Sequence, residues 1–268
     1  MWLSRPLAVA KRDFLIWKSY RFASFLNIFV IYVQVLIMYY VSKTINVGSI
    51  RIKDYNEKYI PFFFIGIVLT GYFLSALQKF SLKIKREQII GTFEAVISTP
   101  ISNFSFISGL AIWDFLWGGI QVFVYFLLGA FFFNFQFGIV HFMSFALVLT
   151  LGMISFISFA IISASFSIYF KKTDPFNLLF AAAMSSLSGA YFPITLLPDY
   201  LQRMAKFIPL TYVLDASRLI FLKGYHVNLL KNQIVTLLAF CIILFPFSIA
   251  IFNLVIKQAM RDGTLSQY

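Results

Sequence analysis

Few side chains in this 268-residue chain are equipped for chemistry in an apolar setting, and Asp114 is the foremost of them. It stands about two turns into an apolar run, flanked by Ile112, Trp113 and Phe115. A carboxylate at such a position is either a substrate or proton site, or one half of an ion pair. Arg21 and Lys18 are the basic residues expected to meet it in the second case. Asn27 and Gln34 interrupt another apolar run seven residues apart, so they share one helical face. A polar face in lipid must point at a neighbouring helix or at a cavity. Gln121 is a further amide in an apolar run, and Asn27, Gln34, Asp114 and Gln121 form the candidate substrate pathway.

Other chemistries lack their residues. No G-x-x-x-x-G-K-[ST] run occurs, so the chain has no phosphate loop with which to hydrolyse ATP itself. His141 and His226 are far apart in sequence and lack ligand spacing, and neither H-E-x-x-H nor G-x-S-x-G is present. No catalytic or metal-binding set is therefore expected. An ion-coupled carrier or channel would need more ionisable residues within its spans than Asp114 alone.

The elements that carry these residues follow from composition. The chain is 60% apolar and only 12% charged, too little charge to cover a water-facing surface of its size. Its net charge of +12 comes from basic residues flanking apolar runs, where they anchor helices at headgroups; no nucleic-acid partner is implied. The lone Cys241 cannot form an intrachain disulfide, and no cleavable signal peptide is visible near the start. The expected fold is an all-α integral membrane domain covering residues 1–268. Six transmembrane helices are expected, at about 22–41, 59–77, 106–133, 142–169, 175–191 and 232–256. From Phe115 to Phe170 there is no Asp, Glu, Lys or Arg, which is too long for one span and right for two.

Residues 3–20 alternate aromatic and aliphatic residues with Arg5, Lys11, Arg12 and Lys18, as an amphipathic helix at the membrane surface would, or a solvated juxtamembrane stretch. Between the last two spans, Pro193, Pro198 and Pro209 break the chain into short amphipathic helices. In the second of these, Asp215 and Arg218 are three apart and can pair. Small residues cluster in the fourth span (Ser155, Ser158, Ser163, Ser165, Ser167) and in the fifth (Ala181, Ala182, Ala183, Ser185, Ser186, Ser188, Gly189, Ala190). They let helices approach closely, either within one subunit or between two copies. An even span count puts both termini on one side, and the weak excess of Lys and Arg there makes that side the cytoplasm.

Two segments resemble a known family. Gly91-Thr92-Phe93-Glu94-Ala95-Val96-Ile97-Ser98-Thr99-Pro100-Ile101-Ser102 is similar to the GT-hydrophobic-E-x-hydrophobic-x-x-T-P-hydrophobic-S segment of the ABC-2 type permeases. The run Gly189-Ala190-Tyr191-Phe192-Pro193-Ile194, with Leu197-Pro198, Ile208-Pro209-Leu210-Thr211-Tyr212 and Ala216-Ser217-Arg218, resembles that family's region between its last two spans. The resemblance implies a permease half of an ABC exporter. It would work with two copies of an ATP-binding subunit, with a second copy of itself or a related permease, and in contact with membrane lipid. It implies that this chain binds no cofactor, ATP and Mg being held by the partner. It implies a cytoplasmic coupling helix within 86–102, with Gly91, Thr92, Phe93, Glu94, Ala95, Val96, Thr99 and Pro100 docking to the ATPase. It also implies outer-leaflet re-entrant helices over 192–222, with Phe192, Pro193, Pro198, Pro209, Tyr212, Asp215 and Arg218 at an outer gate. The location implied is a bacterial or archaeal inner membrane. The wording of both segments is closer to the drug- and lipid-export branch than to the O-antigen branch, with polysaccharide export as the alternative.

Overall fold

The structure is a computed structural model describing residues 4–44, 51–52, 57–91, 103–133, 135, 138–170 and 174–261. It is built from helices, joined at one point by a two-residue antiparallel pair, β1 (Arg51–Ile52) and β2 (Glu57–Lys58). The helices are α1 (Ser4–Ser19), α2 (Arg21–Thr44), α3 (Tyr59–Ile90), α4 (Asn103–Phe133), α5 (Ile139–Phe170), α6 (Asp174–Leu187), α7 (Asp199–Ala205), α8 (Pro209–Lys223) and α9 (Lys231–Arg261).

Five of these helices are long and apolar enough to cross a bilayer: α2, α3, α4, α5 and α9. They correspond to five of the six expected spans. The remaining one, expected at 175–191, is helical only over the 14 residues of α6. At 1.5 Å per residue that is about 21 Å, short of a hydrocarbon core of about 30 Å. The chain then turns at Gly189, whose φ of +80° is one that glycine adopts without strain.

α3 is longer than its expected span at 59–77, running 32 residues to Ile90. The extension has a physical cause. Leu77, Phe80, Ser81 and Ile84 are buried at helical spacing beyond the apolar run, so the helix keeps a packed face after its composition turns basic. Gly91, at φ +81°, ends it.

α3 is also the central span. Two-thirds of its membrane-crossing window (67%) is buried within the chain, against 17% for α2 and 11% for α9. It packs on α4, α5 and α8. One core gathers around Phe64, Phe73, Phe126 and Phe221, with Phe126 stacked on Phe221 at 4.3 Å and Phe73 tilted against Phe156 at 4.3 Å. A second core joins the later half of α3 to α4, α5 and α9 through Leu77, Ile84, Leu110, Ile161 and Phe252.

The small residues of α5 serve packing within the chain. Ser155, Ser158, Ser163 and Ser165 are all buried. Ser155, Ser158 and Ser165 donate to the carbonyl one turn back, and Ser163 meets Ser81 of α3 at 3.3 Å. These hydroxyls need no water, and α9 lies closely against α5. On α6, Ala182, Ala183 and Ser186 remain exposed.

Most of α8 is buried, although its sequence reads as amphipathic. Pro209 occupies its first turn, where the missing N–H costs nothing. Gly224 closes it at φ +70°; its N–H donates to Ile220 O, and Tyr225 N–H donates to Leu219 O. Gly224→Val should cost about 1–2 kcal/mol through the left-handed backbone alone. A fall in the thermal unfolding midpoint of the purified protein would report it; no change would mean that the cap contributes nothing.

Candidate functional site

Three places in the bundle gather polar side chains that the lipid cannot solvate. The first lies where α1, α3 and α4 meet. Lys83 Nζ is 2.7 Å from Asp13 Oδ2 and 2.8 Å from Asp114 Oδ2, and also donates to Leu110 O at 3.3 Å. Arg12 closes the set, reaching Asp13 and Glu87 at 3.2 Å each. Phe14 and Trp17 of α1 pack beside it on Trp113 and Trp117 of α4, with ring centres 4.8–5.4 Å apart.

Asp114 is therefore one half of an ion pair. Its observed partner is Lys83, from α3, where Lys18 or Arg21 was expected; the side chain of Arg21 lies outside the described residues. The helical extension of α3 explains the difference, because it carries Lys83 level with Asp114 on the neighbouring antiparallel helix. The space beside Asp114 is about 20 Å³, room for one water and not for a ligand.

The second place is the turn after α6. The Arg218 guanidinium, on buried α8, lies 3.4 Å from the centre of the Phe62 ring. Its Nη2 donates to Ala190 O at 3.1 Å and to Phe62 O at 3.4 Å. Tyr59 OH donates to Tyr191 O at 2.9 Å. Carbonyls of the turn are thus held by side chains from α3 and α8. Gly66 permits the approach: a Cβ there would overlap the Ala190 carbonyl oxygen and meet Arg218 Nη2 at 2.9 Å.

The other expected gate residues lie nearby in the chain. Phe192 is half-buried, Pro193 precedes a short 3-10 turn (Ile194–Leu196), and Pro198 precedes α7. Tyr212 OH donates to Lys206 O, and Asp215 Oδ2 accepts from Gln233 Nε2 at 2.8 Å. His141 and His226, distant in sequence, come together with ring centres 4.9 Å apart, and His141 Nε2 lies 3.2 Å from Gly224 O. Among the described residues no group of three or more His, Cys, Asp or Glu is placed to hold a metal.

The third place is a cavity of about 430 Å³ between α2, α3 and α4. Gln34 and Gln121 both line it, as do Tyr72, Ser75 and Tyr125, which the sequence did not single out. Tyr125 OH donates to the Gln34 side-chain oxygen. Tyr125 follows Gln121 by four residues, so the helical repeat that joins Asn27 to Gln34 would also have found it. Asn27 is exposed on α2 and is not among the lining residues. Of the expected coupling residues, Gly91 is exposed at the end of α3; Thr92, Phe93, Glu94, Ala95, Val96, Thr99 and Pro100 lie outside the described residues.

Removing Lys83 would leave two carboxylates facing each other. Lys83→Met should cost about 2 kcal/mol, below the 3–5 of a fully buried pair because Lys83 is partly exposed. Adding Asp13→Asn and Asp114→Asn should recover most of that loss; an unchanged unfolding midpoint in the single variant would show that the cluster is not stabilising. Gly66→Ala should displace the Ala190 turn, seen as faster hydrogen exchange and proteolysis over residues 188–192, whereas exchange like that of the parent would show the turn can yield at no cost.

A family model described as ABC-2 type transporter matches residues 7–222. No curated protein matches the chain. The matched stretch runs from within α1 to most of α8, and takes in the ion-paired cluster, the cavity and the Arg218 turn. With its apolar spans and the match over most of its length, the chain belongs to the ABC-2 type transporter family, as a multi-pass membrane permease subunit that is not catalytic by itself.

Proposed function

We propose that this chain is the membrane-spanning half of an ATP-driven exporter that moves an amphipathic molecule from the cytoplasmic side outward. The observation that carries the reading is the family match over residues 7–222. Members of the family normally work with an ATP-binding subunit, and this sequence has no phosphate loop of its own. Two such ATPase subunits, holding ATP and Mg, would pair with two permeases. The exposed Ala182, Ala183 and Ser186 of α6 offer a close-packing face for a second copy. α6 and the turn after it would complete a sixth crossing, with both termini in the cytoplasm of a bacterial or archaeal cell and 192–222 near the outer surface.

The mechanism follows from where α3 ends. The coupling segment, 86–102, begins within the last turns of α3, and α3 packs on α4, α5 and α8. Closure of the ATPase dimer would push on this segment and shift α3. The shift would reach α1 and α4 through Lys83, and the Ala190 turn through Phe62 and Gly66. Pairing of Asp114 with Lys83 supports this over an ion-coupled carrier, because the ionisable residue best placed for such a carrier already has a partner. The cargo would belong to the drug and lipid class, with a lipid-linked glycan or polysaccharide as the alternative.

Phe93→Ala and Glu94→Arg should each weaken association with the ATPase or leave its hydrolysis unresponsive to substrate. Co-purification and ATPase assays of the reconstituted complex measure both, and parental behaviour in both variants would defeat the assigned docking segment.

A further inference from the structure

The cavity between α2, α3 and α4 carries chemistry that packing does not account for. Its 430 Å³ lies in the range of small-ligand sites. Its polar groups are amides and hydroxyls, and none of its lining residues is charged. The Gln34 carboxamide accepts from Tyr125 OH, which turns its NH2 group away from that bond. Gln121, one turn from Tyr125 on the same helix, has no hydrogen-bond partner among the described residues. A side-chain amide at membrane depth is costly unless something answers it. The remaining walls, including Val35, Met38, Ile67 and Val68, are apolar.

Gly71 supplies the second observation. Both glycines inside the crossing part of α3 lack a side chain, for opposite reasons. Gly66 is crowded by Ala190 and Arg218, whereas a Cβ at Gly71 would meet nothing within 4 Å. Glycine weakens a helix interior relative to alanine, and here no neighbour among the described residues requires it. What it preserves is open space, since Gly71 is itself a lining residue.

We propose that this cavity binds an uncharged head group rich in hydroxyls or amides, carried on an apolar tail. Gln34, Gln121 and Tyr125 hydrogen-bond the head, and Gly71 keeps the space it enters. A charged head would lose its hydration with no counter-charge in the lining. The identity of the occupant as cargo rests on the exporter reading; the binding itself does not.

The test uses the complete permease–ATPase complex in lipid nanodiscs, with radiolabelled dodecyl glucoside as the probe. Dodecyl sulfate and dodecyltrimethylammonium, with the same tail, are the charged comparisons. Saturable binding of the glucoside is expected, with each charged probe weaker by about ten-fold or more. Gly71→Leu and Gln121→Leu should each weaken glucoside binding by about ten-fold, while Gly71→Ala retains it. Thermal unfolding of each variant checks its fold, and Gln121→Leu stands as the independent arm should Gly71→Leu misfold. Parental binding by folded Gly71→Leu or Gln121→Leu, or equal binding of the charged probes, would overturn the proposal. Glucoside-stimulated ATPase activity that disappears in Gly71→Leu marks the occupant as cargo. Binding that follows the variants without any stimulation keeps the site as one for a resident neutral lipid and overturns the cargo reading.

Discussion

Lipid offers no hydrogen bonds, and the arrangement of this chain follows from that constraint. Most of the described polar groups placed at depth find their partner in the protein. The buried serines of α5 turn back onto their own helix. Lys83 answers two carboxylates from two different helices. Arg218 donates from one nitrogen to two carbonyls and sits over an aromatic ring. The shared outcome is that contacts far apart in sequence are fixed by a few polar side chains, while the Phe-rich surfaces between them supply non-directional packing.

α3 is where these contacts converge. It reaches Arg218 near its start through Phe62, borders the cavity at Gly71, and holds Asp13 and Asp114 through Lys83 toward its end. It contributes to both apolar cores. A long central helix with polar ties to α1, α4 and α8 is placed to link the two ends of the bundle.

Much of this was legible in the sequence, and the exceptions have physical reasons. Five spans were visible as apolar length, because lipid-facing and packed faces are alike apolar. The end of α3 was not, since beyond Leu77 only Phe80, Ser81 and Ile84 carry the packed face and, apart from the exposed Leu82, the intervening residues are polar or basic. Missing that extension hid Lys83 as the partner of Asp114. Gln34 and Gln121 stood out as amides in apolar runs, and the structure brings them to one cavity. Tyr125, Tyr72 and Gly71 did not stand out, because tyrosine and glycine are common in membrane helices and only geometry shows which of them face open space. The burial of α8 was hidden for a related reason: a helix bearing Asp215, Arg218 and Lys223 looks half-solvated, and the enclosure comes from α3, α5 and α9 around it.

The fit of Gly66 against Ala190 has one more implication. Most interhelical contacts tolerate small slips, because side chains change rotamer and share the displacement. Here one side is a bare α-carbon and the other a peptide carbonyl, and neither has a rotamer to change. Such a contact has no graded settings: the turn is either seated or lifted clear. It acts as a detent, so whatever motion passes along α3 would be released at this end as a step and not as a drift.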